Sequence, residues 1–70
     1  MAESVYKFIE IAGSSTESWE KAAVAAVETA ASSVNDLRVA EVIEQDMTIE
    51  KGKVSAYRIK LKVSFKYRTD

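Results

Sequence analysis

This chain has seventy residues without cysteine or histidine, and its ten basic side chains stand against eleven acidic ones. A core of this size rarely outweighs chain entropy by itself, and the missing residue types exclude disulfides and thiolate or imidazole metal sites. Self-association, with at most an oxygen-ligated cation, is the remaining way to stabilise the fold. The formal net charge of −1 gives the whole chain no electrostatic reason to bind nucleic acid or anionic lipid.

The segment MAESVYKFIEIAG at the N-terminus lacks a basic start followed by a long apolar run. No apolar stretch elsewhere approaches the ~20 residues of a membrane span. We therefore expect a soluble, cytoplasmic protein without membrane contact. No linker, repeat or proline divides the chain, so a single domain over residues 1–70 is expected.

Residues 5–12 predict the first strand. Branched and aromatic side chains dominate this segment. Alternate residues of a strand point to opposite faces, and both sets are apolar here, which favours a strand with both faces at least partly covered. The two sets are Val5, Ile9 and Ile11 against Tyr6 and Phe8.

A helix over roughly residues 15–34 is predicted next. Gly13 ends the strand, and Ser14 with Glu17 has the spacing of a capping box, so Ser14 or Ser15 is expected to cap the helix. The apolar stripe of this helix is mostly alanine, which allows close approach to a sheet but buries little area. Trp19, near the helix start, is predicted to be a core or interface anchor.

Two long strands complete the pattern, at residues 37–49 and 56–67. In the second of them strict alternation puts Ile59, Leu61 and Val63 on one face and the cations on the other, and the EKGK turn between the strands supplies glycine for a positive φ. The β-α-β-β order predicts an α+β fold with a long, curved, antiparallel three-stranded sheet packed on one helix. One alanine-rich helix cannot cover so much apolar strand surface, so a closed oligomer is expected.

Three segments, in this order and over nearly the whole chain, resemble the dodecin family. They are VYKFIEIAGSS at residues 5–15, VAEV at 39–42 and YRIKLKVSF at 57–65. The resemblance implies small β-α-β-β subunits that assemble into a hollow homododecamer. It also implies a protein that binds small ligands and is not an enzyme.

Flavin-binding dodecins carry a tryptophan before the Ala-Glu-Val of the second strand and a glutamine after the tyrosine of the third. This chain has Val39 and Arg58 at those positions. With Glu44 they form the expected equivalent of the flavin pocket, and weakened flavin binding is implied. The same departures, with SWEKAA at residues 18–23 and VIEQDM at 42–47, resemble calcium dodecins more closely. That branch implies calcium binding and at most the sequestration of other small ligands.

Two carboxylates are the first candidates for metal ligands. Glu44 and Asp46 lie two residues apart on a strand and so share a face, and they offer the hard oxygen ligands that calcium prefers. Symmetry could bring copies of them together near an axis. Asp36 at the helix exit is the reserve candidate. The alternative is an ordinary solvated polar patch, because no Asp-rich calcium loop is present.

The basic face of the last strand has two interpretations. Its cations could bind phosphate groups of nucleotides or coenzyme A inside a shell, or they could keep the sheet soluble and pair with glutamates of the second strand. The strand interleaves no aromatic residue among them, so nucleic acid is not an expected partner. The cations are Arg58, Lys60, Lys62 and Lys66.

No catalytic signature joins the titratable groups, so no enzymatic activity is expected. Riboflavin or FMN buffering and a purely structural oligomer remain alternative functions.

Overall fold

The computed structural model describes residues 3–67 as one three-stranded sheet with one helix. The elements are β1 (Tyr6–Ser15), α1 (Trp19–Ala31), β2 (Leu37–Glu50) and β3 (Lys53–Lys66). The predicted β-α-β-β order is confirmed, and both strand pairings are antiparallel. The sheet order is β1-β3-β2, so the last strand of the chain lies in the middle. No helix within residues 3–67 has the length and apolarity needed to cross a membrane.

β3 carries the core because a strand flanks it on each side. Its residues Ile59, Leu61 and Val63 are at most 4% exposed and pack against α1, where Ala22 is fully buried. We call this side of the sheet the helix face and the opposite side the open face. The alternation predicted for β3 is confirmed from Arg58 to Val63, whereas Ser64, on the face predicted to be solvated, is only 6% exposed. Around the core pack partly buried side chains, which are Ile9, Ile11, Trp19, Ala23, Ala26, Val27 and Leu37.

The helix begins later than the sequence predicted. The N-cap of α1 is Ser18, whose hydroxyl accepts a backbone N–H from the first turn at 3.0 Å. The predicted cap at Ser14 or Ser15 is wrong, because β1 continues through both residues and pairs with β3 as far as Tyr57. Ser15 Oγ instead accepts the N–H of Glu17 at 3.0 Å, just after the strand ends. Continued pairing with β3 therefore outweighs the local capping pattern.

Other element ends also differ from the sequence prediction. α1 ends at Ala31 rather than at residue 34. Ser32 and Ser33 follow it, and their hydroxyls donate to carbonyl oxygens of the last turn, a bonding pattern that competes with helix continuation. β1 runs to residue 15 instead of 12, and β3 begins at residue 53 instead of 56.

α1 lies very close to β1 at Gly13. This glycine is paired with Ile59 on the helix face of the sheet. A Cβ atom at Gly13 would lie 2.4 Å from the carbonyl oxygen of Ala22 and 3.0 Å from Cβ of Ala26. Only a residue without a side chain fits under the helix, so Gly13 sets the distance between α1 and the sheet.

Much apolar surface is left uncovered within residues 3–67. Eleven large apolar side chains in this range are more than 40% exposed. Phe8 and Val39 lie among them on the open face, so the expected cover on both faces of β1 is not met within one chain. Tyr6, Phe8 and Val39 line one cavity together, and large clusters of exposed apolar side chains mark interaction surfaces. The observation agrees with the predicted self-association, which stays a prediction.

β2 and β3 extend past β1 as a two-stranded arm, defined here as residues 48–55. β1 stops pairing at Tyr57 of β3, whereas β2 and β3 stay paired up to the turn between Glu50 and Lys53. In that turn Lys51 has φ 52° and Gly52 has φ 78°, as a type I′ hairpin turn requires. The expected positive φ at Gly52 is confirmed. The long hairpin contributes to an elongated shape of 54 × 20 × 14 Å.

Candidate functional site

The open face carries a ladder of opposite charges along β2 and β3. Residues paired across two antiparallel strands share a face, with Cβ atoms ~4.5–5.5 Å apart, so the register itself brings these charges together. We call the set the charge ladder, and its three rungs are Asp46 with Arg58, Glu44 with Lys60 and Glu41 with Lys62.

A β-bulge in β2 decides that Glu44 and Asp46 belong to this face. Val42 is paired with Leu61 on the helix face, and Glu44 is paired with Lys60, so Ile43 is an extra residue without a partner on β3. Unbroken alternation from Val42 would have put Glu44 on the helix face. The two carboxylates do share a face, as predicted, but the bulge selects which face.

Asp46 and Arg58 form the rung of the charge ladder with the shortest contacts. Arg58 Nε donates to Asp46 Oδ1 and Arg58 Nη2 to Asp46 Oδ2, both at 2.7 Å. Hydrogen bonding by Arg58 lowers the pKa of Asp46, and the carboxylate in turn raises the pKa of Arg58. Both carboxylate oxygens of Asp46 are therefore engaged by one guanidinium.

The other two rungs are looser. Lys60 Nζ lies 3.3 Å from Glu44 Oε1, with both side chains about half exposed or more. Lys62 Nζ lies 5.6 Å from the centroid of the Phe8 ring, a cation–π contact. Of the two interpretations of the β3 cations, pairing with a glutamate of β2 is observed for Lys60, whereas Arg58 pairs with an aspartate, Asp46. β3 itself has no aromatic residue among its cations, as predicted. The neighbouring strand β1, however, places Phe8 beside Lys62 on the same face.

Trp19 joins the start of α1 to the charge ladder from the helix face. Its indole Nε1 donates to the backbone oxygen of Asp46 at 3.0 Å, and its ring contacts the ring of Tyr57 edge-on at 5.0 Å between centroids. Trp19 also packs against the buried core. The predicted role as an anchor is confirmed. No sequence pattern signalled its bond to Asp46, because every residue carries a backbone carbonyl.

Two cavities on the open face separate the residues predicted to form one ligand pocket. A cavity of about 430 Å³ is lined by Glu44, Asp46, Arg58 and Lys60 with small residues of β1. Val39 lines another of about 520 Å³, beside aromatic residues of β1. Within one chain the structure therefore brings Glu44 and Arg58 together and leaves Val39 apart from them.

Asp36 lies far from the other metal candidates in the same chain. It has φ 63°, and its carbonyl oxygen accepts the N–H of Lys66 at 3.2 Å at the start of β2. Ten residues of extended chain separate it from Asp46, a distance on the order of 30 Å. Asp36 cannot join Glu44 and Asp46 around one ion within a single subunit.

The donors of the charge ladder suit calcium by their chemistry but not by their number. Calcium takes roughly six to eight oxygen ligands. Within residues 3–67 no group of three or more carboxylates is placed to hold a metal ion, and Arg58 engages both oxygens of Asp46. A calcium site that uses Asp46 would need oxygens from another copy and would share a carboxylate that Arg58 already engages.

The Asp46–Arg58 pair predicts a dependence of stability on pH. The pKa of Asp46 is held below its ordinary value of 3.8, so the pair contributes stability that is complete above that pH and is lost as the pH falls through the lowered pKa. Asp46→Asn cannot ionise and lacks this contribution. We expect the melting temperature of the parent to exceed that of Asp46→Asn near neutral pH and the difference to shrink below about pH 4. Parallel curves by circular dichroism would contradict a role for the pair.

Sequence and structure comparisons give a consistent set of relatives. The family model described as Dodecin matches residues 5–68. A protein named calcium dodecin, from Mycobacterium tuberculosis, is 58% identical over 65 residues, which are 93% of this chain and 92% of that protein. A crystal structure of the calcium dodecin of that organism, described as calcium chelating and as having a novel calcium-binding site, aligns with a TM-score of 0.81 and 59% identity over 96% of each chain. Dodecin from Streptomyces coelicolor aligns over 100% of both chains with a TM-score of 0.84 and 28% identity.

Proposed function

Because this chain belongs to the dodecin family, we propose that it is a calcium-binding protein whose subunits assemble into a hollow homododecamer. The observation that carries the calcium assignment is the 58% identity, over nearly the whole chain, to a protein named calcium dodecin. The charge ladder supports it with two carboxylates on one face. In this proposal the protein holds or buffers small ligands and performs no chemical reaction on them.

The shell accounts for the apolar surface that one chain leaves exposed. β1 and β2 are both edge strands, and large apolar side chains remain exposed on both faces of the sheet. Edge strands and apolar patches are normally covered in soluble proteins. A closed symmetric assembly covers them without open-ended growth.

We place the calcium site on the charge ladder, with Glu44 and Asp46 as ligands and further oxygens from neighbouring copies. In this arrangement Arg58 competes with the ion, because its guanidinium engages both oxygens of Asp46. The affinity for calcium is then set partly by the strength of an ion pair inside the site. Asp36, which lies far away along the strand, could take part only through another copy.

Melting temperatures with and without calcium test this assignment. A ligand that binds only the folded state stabilises it by about 2.7 kcal/mol at a concentration of 100 Kd. We expect calcium to raise the melting temperature of the parent, Asp46→Asn to reduce that gain, and Arg58→Gln to enlarge it because the competing guanidinium is removed.

Glu17→Gln is the matched control for these variants. Glu17 is paired with Lys21 on α1, outside the charge ladder, so its replacement should leave the calcium gain unchanged. An equal gain in Asp46→Asn would remove Asp46 from the site. A parent that shows neither a gain in melting temperature nor heat of binding in calorimetry would overturn the calcium proposal itself.

Flavin binding is proposed to be weak. Val39 stands where flavin-binding relatives are expected to have a stacking tryptophan, and a lost aromatic platform costs ~1–3 kcal/mol per stacked ring by analogy with base stacking. Riboflavin should therefore bind at least about tenfold more weakly to the parent than to the Val39→Trp, Arg58→Gln double variant. Quenching of riboflavin fluorescence measures both. Tight, sub-micromolar quenching by the parent would show that the pocket is misassigned.

A further inference from the structure

The arm has an apolar side that nothing covers within residues 3–67. Ile49 and Val54 are paired across the two strands and are 67% and 47% exposed, and Met47 continues the same side next to Tyr57. A two-stranded hairpin alone is marginally stable in water. The arm nevertheless stays paired up to its turn. Such a projection needs a surface to pack against.

A groove of matching character lies between α1 and β2. Its volume is about 300 Å³, and Val24 and Val42, both about half exposed, lie along it with Glu28 among its lining residues. Glu20 and Glu28 lie four residues before and after Val24 on α1. Residues four apart share one side of a helix, so the two glutamates flank Val24 there. We call this surface the α1–β2 groove.

The arm cannot reach the α1–β2 groove of its own chain. It begins just beyond Asp46, where Trp19 at the start of α1 is bonded. The groove lies in the other direction along β2, beside Val42. The occupant must therefore come from another molecule.

We propose that the arm of one copy docks in the α1–β2 groove of a second copy. Ile49 and Val54 then pack against Val24 and Val42.

The arm tip carries two lysines and one glutamate, Glu50, and the groove is flanked by two glutamates and by Lys21, whose charge Glu17 balances. The remaining charges on the two surfaces are opposite, so charge complementarity favours a second copy as the occupant. Four charged side chains on the two surfaces have no ion-pair partner among residues 3–67. They are Lys51 and Lys53 on the arm and Glu20 and Glu28 beside the groove.

The inference deepens the proposed assembly and rests on it. The contact joins two different surfaces, so every copy can give its arm to one neighbour and receive the arm of another. Contacts of this kind close into rings when the rotation between neighbours allows it. The proposal therefore places one of the contacts that build the shell.

Charge reversal from both sides tests the docking. Lys51→Glu with Lys53→Glu, and separately Glu20→Lys with Glu28→Lys, should each weaken assembly at least about tenfold at low salt, because like charges then face one another. Combining all four substitutions should restore assembly, as measured by light scattering across a dilution series. Assembly unchanged in either reversed variant, or no recovery in the combination, would overturn the docking. A parent that is a stable monomer would overturn the shell as well.

A cysteine pair supplies an independent measurement, because the natural chain has no cysteine. A disulfide forms only when the two Cα atoms lie within about 7 Å. Val24→Cys combined with Val54→Cys should give a series of covalently linked chains on a non-reducing denaturing gel. Either single variant can link at most two chains, so it should give no species larger than a dimer. A double variant that assembles like the parent and yet shows only single chains after oxidation would reject the proposed contact.

Discussion

Replacing Gly13 with alanine is expected to lower the free energy of unfolding by about 1–3 kcal/mol or more. The added Cβ would lie 2.4 Å from the carbonyl oxygen of Ala22, and this oxygen belongs to the helix backbone and cannot rotate away. α1 would have to move off the sheet, which opens the core above Ile59. Chemical denaturation followed by circular dichroism measures the loss, and Trp19 fluorescence reports movement of the helix start.

Two variants separate this effect from general sensitivity to substitution. Ser14→Ala changes the next residue along β1, whose position on the open face predicts an effect within about ±0.5 kcal/mol. Gly52→Ala places a side chain at φ 78° with no atom within 4 Å, so it should strain only the turn and leave Trp19 fluorescence unchanged. A Gly13→Ala protein as stable as the Ser14→Ala protein would show that the helix can shift without cost.

Replacing Leu61 with alanine is expected to cost about 2–5 kcal/mol. Leu61 is almost fully buried in the central strand, between Ile11 of β1 and Val42 of β2, with α1 above it. Its neighbours are held by two strands and a helix, so they cannot collapse into the space that the lost atoms leave. Urea unfolding curves provide the measurement.

The control for Leu61→Ala is Thr16→Ala, a truncation at an exposed polar position in the turn after β1. Its expected effect on the free energy of unfolding is within about ±0.5 kcal/mol. A comparable loss in both variants would indicate a general sensitivity to substitution rather than the burial of Leu61. A negligible loss in Leu61→Ala would contradict the placement of the core under β3.

Sequence alone predicted the faces of β3 but not those of β2, for a physical reason. β3 is paired on both sides, and from residue 56 to 66 its register has no irregularity on the β3 side, so counting by two identifies the buried face. β2 has extra residues at Arg38 and Ile43, and each bulge reverses the alternation. Counting from Val39 therefore does not reveal which face Glu44 takes.

The candidate site was predictable in its composition and not in its pairing. The partner of Asp46 depends on the register of the hairpin, which is fixed by the turn at Lys51 and Gly52 and by the bulge at Ser55. These features act several residues away from the carboxylate. The calcium ligands remain a prediction because their missing oxygens would come from other copies, and the pattern within one chain does not encode where those copies lie.

The position of β3 in the sheet also fixes an order of events while the chain is being synthesised. β1 and β2 do not pair with each other, and both lack their partner until β3, which follows them in the chain, has been synthesised. The hairpin of β2 and β3 can close at once, whereas pairing Tyr6 with Lys66 joins nearly opposite ends of the chain. A chain interrupted before residue 53 would leave two apolar strands without a partner and open to intermolecular pairing. Synthesis of β3 is thus the step that protects the growing chain from aggregation.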